Sequence, residues 1–152
     1  MGTTFRVFLP EVQVPASEER PFHASHPPRS QGETVLLVDD EPAVLGLGQE
    51  ILKTLGYAVL TARTPGEALQ LAQSRRIDLL VTDVIMPDMT GRHLADSIAD
   101  LQPGIRCLFV SGYSATVISD RGVLADGVRF LQKPFSVHTF ASSVRDALVH
   151  SR

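Results

Sequence analysis

An excess of basic charge, paired cysteines and long apolar runs are all missing from this chain, and each absence removes a class of function. Lys and Arg total 14 against 17 Asp and Glu, a formal charge of −3. A nucleic-acid binder would usually carry a basic face, so no direct nucleic-acid contact is expected. A single cysteine, Cys107, excludes an intrachain disulfide and fits a reducing compartment. No apolar run approaches the roughly 18–20 residues that cross a bilayer. The N-terminus lacks the apolar stretch of a secretory signal. The expectation is a cytoplasmic chain without direct membrane contact, although a longer parent could be membrane-associated. The five histidines, at 23, 26, 93, 138 and 150, show no metal-ligand spacing. There is no internal repeat.

What is present divides near residue 32. Residues 11–32 carry Pro15, Pro21, Pro27 and Pro28 with few large apolar residues, and read as an extended linker. From 33 to 150, short apolar runs alternate with helical periodicity. Thr34 to Val38 reads as a strand buried on both faces. Pro42 opens a helix to about Leu55, with Val44, Leu47, Ile51 and Leu55 as its apolar face. Tyr57 to Ala62 is a second strand. Thr64, Pro65 and Glu67 start a second helix, which runs to about Arg75. Leu79 to Thr82 is a third strand, ending at Asp83, and a helix follows Gly91 to about Leu101. Arg106–Val110 and Val128–Leu131 are the fourth and fifth strands, with a short helix after Ser114 between them. Ser136 caps a last helix whose stripe is Val137, Phe140, Val144 and Leu148. Strands alternating with helices indicate an α/β fold, a doubly wound five-stranded parallel sheet. The expected type is flavodoxin-like, with strand order 2-1-3-4-5.

In such sheets ligands bind beyond the carboxyl ends of the strands. Asp39, Asp40 and Glu41 follow the first strand and Asp83 ends the third. Ser111 follows the fourth and Lys133-Pro134 the fifth. Acids, a hydroxyl and a lysine therefore collect at one edge. Gathered carboxylates repel one another unless a cation joins them. Mg²⁺ suits a few carboxylates together with waters and a phosphate oxygen. A carboxylate left free can act as a nucleophile toward phosphorus, and Asp83 is the candidate. Lys133 would offset charge on the phosphoryl oxygens, and Ser111 could hydrogen-bond one of them.

The set Asp39-Asp40, Asp83, Ser111 and Lys133-Pro134-Phe135 resembles the receiver domain of response regulators. The run from Asp83 through Val84, Ile85, Met86, Pro87, Asp88, Met89 and Thr90 to Gly91 is similar to that family's phosphorylation loop. The resemblance covers about 33–149. It implies Asp83 as phosphoacceptor, Asp40 as direct metal ligand and Asp39 as an acid holding the metal through water. The Ile85 backbone carbonyl falls where the family supplies a further ligand, for Mg²⁺ or Mn²⁺. Ser111 and Phe130 stand at the switch positions, and Lys133 at the lysine that reads the phosphoryl group. The bond before Pro134 is expected to be cis. Implied partners are a histidine kinase or a histidine phosphotransfer domain. A weak dimer through the fourth helix, fifth strand and fifth helix is also possible in this family.

Residues 1–10, with Gly2-Thr3-Thr4-Phe5, resemble the last strand of a histidine-kinase ATP-binding domain. The parent is then a hybrid histidine kinase. A relay or feedback role is expected, since no DNA-binding output domain follows Arg152. Such a chain promotes only its own phosphorylation and dephosphorylation, and is not a classical enzyme.

Other readings are weaker. An aspartyl phosphatase of the haloacid dehalogenase type carries Asp-x-Asp after strand one, not after strand three. A dinucleotide site needs Gly-x-Gly-x-x-Gly where Asp39-Asp40-Glu41 stands. A non-phosphorylated interaction module of the same fold stays open. Glu41 reads as an acid favoured by a helix N-terminus and Asp88 as a loop acid. Cys107 reads as an inert core thiol. Tyr113 is either a shield for the phosphoryl group or a plain surface tyrosine.

Overall fold

Successive side chains of a strand point to opposite faces, so a strand covered on both sides must be apolar throughout. Leu36 and Leu80 are wholly buried beside Val35 and Leu79, which are equally buried on the other face. The computed structural model of the protein describes residues 28–114 and 128–149. Its elements are β1 (Thr34–Val38), α1 (Pro42–Thr54), β2 (Ala58–Ala62), α2 (Pro65–Ser74), β3 (Leu79–Asp83), α3 (Gly91–Leu101), β4 (Arg106–Ser111), β5 (Phe130–Gln132) and α4 (Val137–Val149). Every strand pairing is parallel, and the order is β2-β1-β3-β4-β5, as expected.

Two apolar layers enclose the sheet. On one face Val35, Leu37, Val81 and Val110 pack under α1 and α4. On the other, Leu36, Leu80 and Phe109 pack under α2 and α3. Polar caps fix where the helices begin. Thr64 accepts from the Glu67 amide, and the Glu67 carboxylate accepts from the Arg63 amide. Thr90 accepts from the His93 amide and Ser136 from the Thr139 amide.

The apolar face expected for α1 is shifted in the structure. Ile51 and Leu55 are buried as expected, but Leu47 is 56% exposed and Val44 half-buried, while Leu45, Gly48 and Leu52 join the buried face. The cause is Gly48, where an added Cβ would lie 2.7 Å from Leu37 Cδ2. Gly48 packs against the Leu37 side chain of β1, and residues three and four away from it turn inward with it. In α4 the expected stripe holds except at Val137, which is 53% exposed in the first turn; Ala141 and Ala147 complete the buried face. Tyr57 is buried just before β2 rather than in it, and β5 starts at Phe130 rather than Val128.

The last residues of the expected linker dock on the domain. The Ser30 amide donates to Leu55 O at 2.9 Å. Ser30 Oγ donates to Glu33 Oε2, and Arg145 Nη1 of α4 donates to Glu33 Oε1 at 2.6 Å. Residues 1–10, the linker before Pro28, the helix expected after Ser114, and His23, His26 and His150 lie outside the described residues.

Candidate functional site

Register brings the polar residues level. Val38 pairs with Thr82, Asp83 with Val110, and Ser111 with Gln132. Asp39, Asp83, Ser111 and Lys133 thus leave four neighbouring strands within two steps of each other.

Asp39 is buried. Its Oδ1 accepts from the Glu41 amide at 2.9 Å, and its Oδ2 from Lys133 Nζ at 2.8 Å. Asp83 Oδ1 accepts from the Ile85 amide at 3.1 Å, and Asp83 Oδ2 from the same Nζ at 3.3 Å. Lys133 therefore bridges two acids donated by different strands. Burial works against its charge, but bonding to Asp39 and the field of Asp83 outweigh this and hold the ammonium above the ordinary lysine range. Asp40 is exposed. One oxygen from each of Asp39, Asp40 and Asp83 lies within 4.8 Å of the others. Three hard oxygen donors with one cation among them suit a small divalent ion.

Lys133 is placed from both sides. Its amide donates to Ser111 O at 2.7 Å, and the Lys133–Pro134 peptide is cis. Phe135 stacks on Phe140 of α4, with centroids 5.1 Å apart. Ser111 is buried, and its Oγ accepts from the Tyr113 amide at 3.1 Å. Phe130 is half-buried opposite Phe109 in the second apolar layer. Ile85 exposes 43% of its surface, and Tyr113 about half. Glu41 is the N-cap residue of α1, without a side-chain cap bond, and lies outside the three-acid group, as does Asp88. Burial pushes the Cys107 thiol up to about 11, with Asp96 adding to the effect, so it stays protonated near neutrality.

Two residues of this edge escaped the sequence reading as contributors. Thr82 is wholly buried and donates its hydroxyl to Asp83 O at 3.0 Å. Gly91 packs so close that an added Cβ would lie 2.1 Å from Asp83 O. Gly91 was visible as the end of the motif. Thr82 gave no signal, because threonine is an ordinary strand residue.

The family model of the response regulator receiver domain matches residues 35–145, and the chain belongs to this family. It is 36% identical over 159 residues to the sensor kinase CckA of Brucella abortus, covering 97% of this chain but 16% of that protein. The chain thus spans about a sixth of the length of this relative. Among solved structures, the receiver domain of the hybrid histidine kinase CckA aligns with a TM-score of 0.64 at 35% identity, covering 76% of this chain and 98% of that one. A Burkholderia pseudomallei response regulator, solved with a phosphorylated aspartic acid, calcium ion and citrate, aligns with a TM-score of 0.64 at 30% identity. That match covers 76% of this chain and 66% of the other. Among the described residues, no helix is long and apolar enough to cross a membrane.

Proposed function

We propose that this receiver domain takes a phosphoryl group from a phosphohistidine onto Asp83. The observation that carries the reading is the Lys133 bridge between Asp39 and Asp83 at the mouth of a three-acid group. Asp83 is fixed by the Ile85 amide on one oxygen and keeps its second toward Lys133. A carboxylate oxygen of Asp83 attacks phosphorus, an O–P bond forms, and the P–N bond breaks with its electron pair passing to the imidazole. Lys133 follows the negative charge onto the phosphoryl oxygens. Ser111, at the end of β4, donates to one of them.

Asp39, Asp40, Asp83 and the Ile85 carbonyl would hold Mg²⁺ or Mn²⁺. The ion, when bound, offsets charge on the transferring group. Ser111 and Phe130 then turn together, and the surface that includes β5 and α4 reports the change to a partner or a second copy. The phosphodonor is a histidine kinase or a histidine phosphotransfer domain, and the setting is the cytoplasm. Similarity to the CckA kinase favours a hybrid histidine kinase as parent.

Incubation with acetyl phosphate and Mg²⁺ tests this reading by intact mass. One phosphoryl group is expected on the native chain and none on Asp83→Asn. Equal labelling of both, or turnover of phosphate esters without a labelled form, refutes the assignment.

A further inference from the structure

We infer that Thr82 is a positioning residue that locks the peptide carrying Asp83, an inference that rests on the reading of Asp83 as phosphoacceptor. Inside β3, Thr82 sits between Val81 and Asp83 and is wholly inaccessible. An apolar residue would satisfy the packing there, as Leu80 and Val81 do at the neighbouring positions. The hydroxyl needs a separate reason. It donates to Asp83 O at 3.0 Å, the carbonyl on the main chain of the proposed nucleophile.

That carbonyl lies where the chain leaves the sheet. The Val84 amide turns to Val110 O, and the Gly91 amide to Val84 O. The first residue of α3 closes over Asp83 O so tightly that only glycine fits, with 2.1 Å left to an added Cβ. The Thr82 methyl lies 3.1 Å from the same point. Gly91 thus seals the carbonyl, and Thr82 supplies a donor within the sealed space. A buried carbonyl that loses its donor reorients or suffers a desolvation penalty. Tilting the peptide after Asp83 moves the Ile85 amide and the carboxylate it holds, and hence the alignment with Lys133. A purely space-filling threonine would make the methyl matter and the hydroxyl not.

The test uses the full chain, acetyl phosphate and a titration of Mg²⁺. Thr82→Val, nearly equal in shape, is expected to slow the maximal labelling rate about tenfold, the scale of a small misplacement of a reacting group. Half-saturation by Mg²⁺ is expected to stay within about twofold, since no proposed ligand is changed. Thr82→Ser, which keeps the hydroxyl, restores the rate to within about threefold of native by the same reasoning. Native rate in T82V together with slow labelling in T82S overturns the inference, because the methyl alone then matters. Equal slowing of T82V and T82S overturns it too. Should T82V not fold, Thr82→Cys carries the test, having a weak donor in a similar volume. An intermediate rate supports the lock, and a native rate overturns it. Asp83→Asn separates the two layers. Labelling of D83N at the native rate defeats the phosphoacceptor reading and this inference with it. An inert D83N beside a fully active T82V defeats this inference alone.

Discussion

The two ends of the sheet treat charge in opposite ways. Beyond the amino ends of the strands, Glu33, Asp78 and Gln102 are each tied to a partner. Glu33 meets Arg145, and Asp78 Oδ2 accepts from the Thr34 amide at 2.9 Å. Gln102 spends both ends of its amide, donating to Ala72 O and Arg75 O at 2.6 Å each and accepting from the Ile77 amide at 2.9 Å. Beyond the carboxyl ends, three acids gather, and one lysine pairs with two of them, Asp39 and Asp83. The first arrangement is closed and holds elements together. The second carries surplus negative charge, stabilised only when another cation arrives. A receiver domain needs one end rigid and one end chemically unfinished, and a single sheet supplies both.

Breaking the open end has the largest expected effect. Lys133→Met leaves buried Asp39 without its cation and is expected to cost about 3 kcal/mol in urea unfolding at pH 7, with labelling of Asp83 lost. Added Mg²⁺ is expected to recover part of that stability.

The closed end responds to pH instead. Burial tends to raise the Glu33 carboxyl, but bonds from the Gln31 amide, Arg145 and Ser30 prevail and hold it at about 2, against an ordinary 4.5. A depressed carboxyl contributes fully above its unfolded value and loses that contribution as pH falls through the folded one. Glu33→Gln is therefore expected to cost about 1–2 kcal/mol at pH 7. Native and variant unfolding curves should converge between pH 4.5 and about 2. A constant gap across that window would place the effect in packing rather than charge.

Mg²⁺ sharpens the contrast. At tenfold excess over its dissociation constant, it is expected to raise unfolding free energy by about 1.4 kcal/mol. The gain vanishes in Asp40→Asn and persists in Glu33→Gln. The smallest effect belongs to a position off both ends: Leu47→Ser is expected to stay within about 0.5 kcal/mol in the same assay, whereas Leu45→Ala costs about 3 kcal/mol.

That last pair also marks where sequence reading stopped. The parallel strands were legible because β1 and β3 are apolar on both faces, and the order came with the expected flavodoxin-like type. The gathering of Asp39, Asp83, Ser111 and Lys133 at one edge was legible because each stands at or just past the end of a strand. The orientation of α1 was not, since counting large apolar residues passes over Gly48, whose missing side chain makes room for Leu37. Thr82 and the Glu33–Arg145 pair were hidden for another reason. A hydroxyl bonded to the next residue and a bridge spanning 112 positions leave no local pattern.

The Arg145 grip on Glu33 also decides how such a domain can be mounted. It ties the residue before β1 to the C-terminal half of α4 at one pole, so both ends of the folded unit leave from the side opposite the acids. Neighbouring modules can then be spliced to either end, or to both, without shadowing the acidic mouth. A circularly permuted chain, joined across that pole and reopened in a surface turn away from the acids, is expected to keep its phosphorylation chemistry intact.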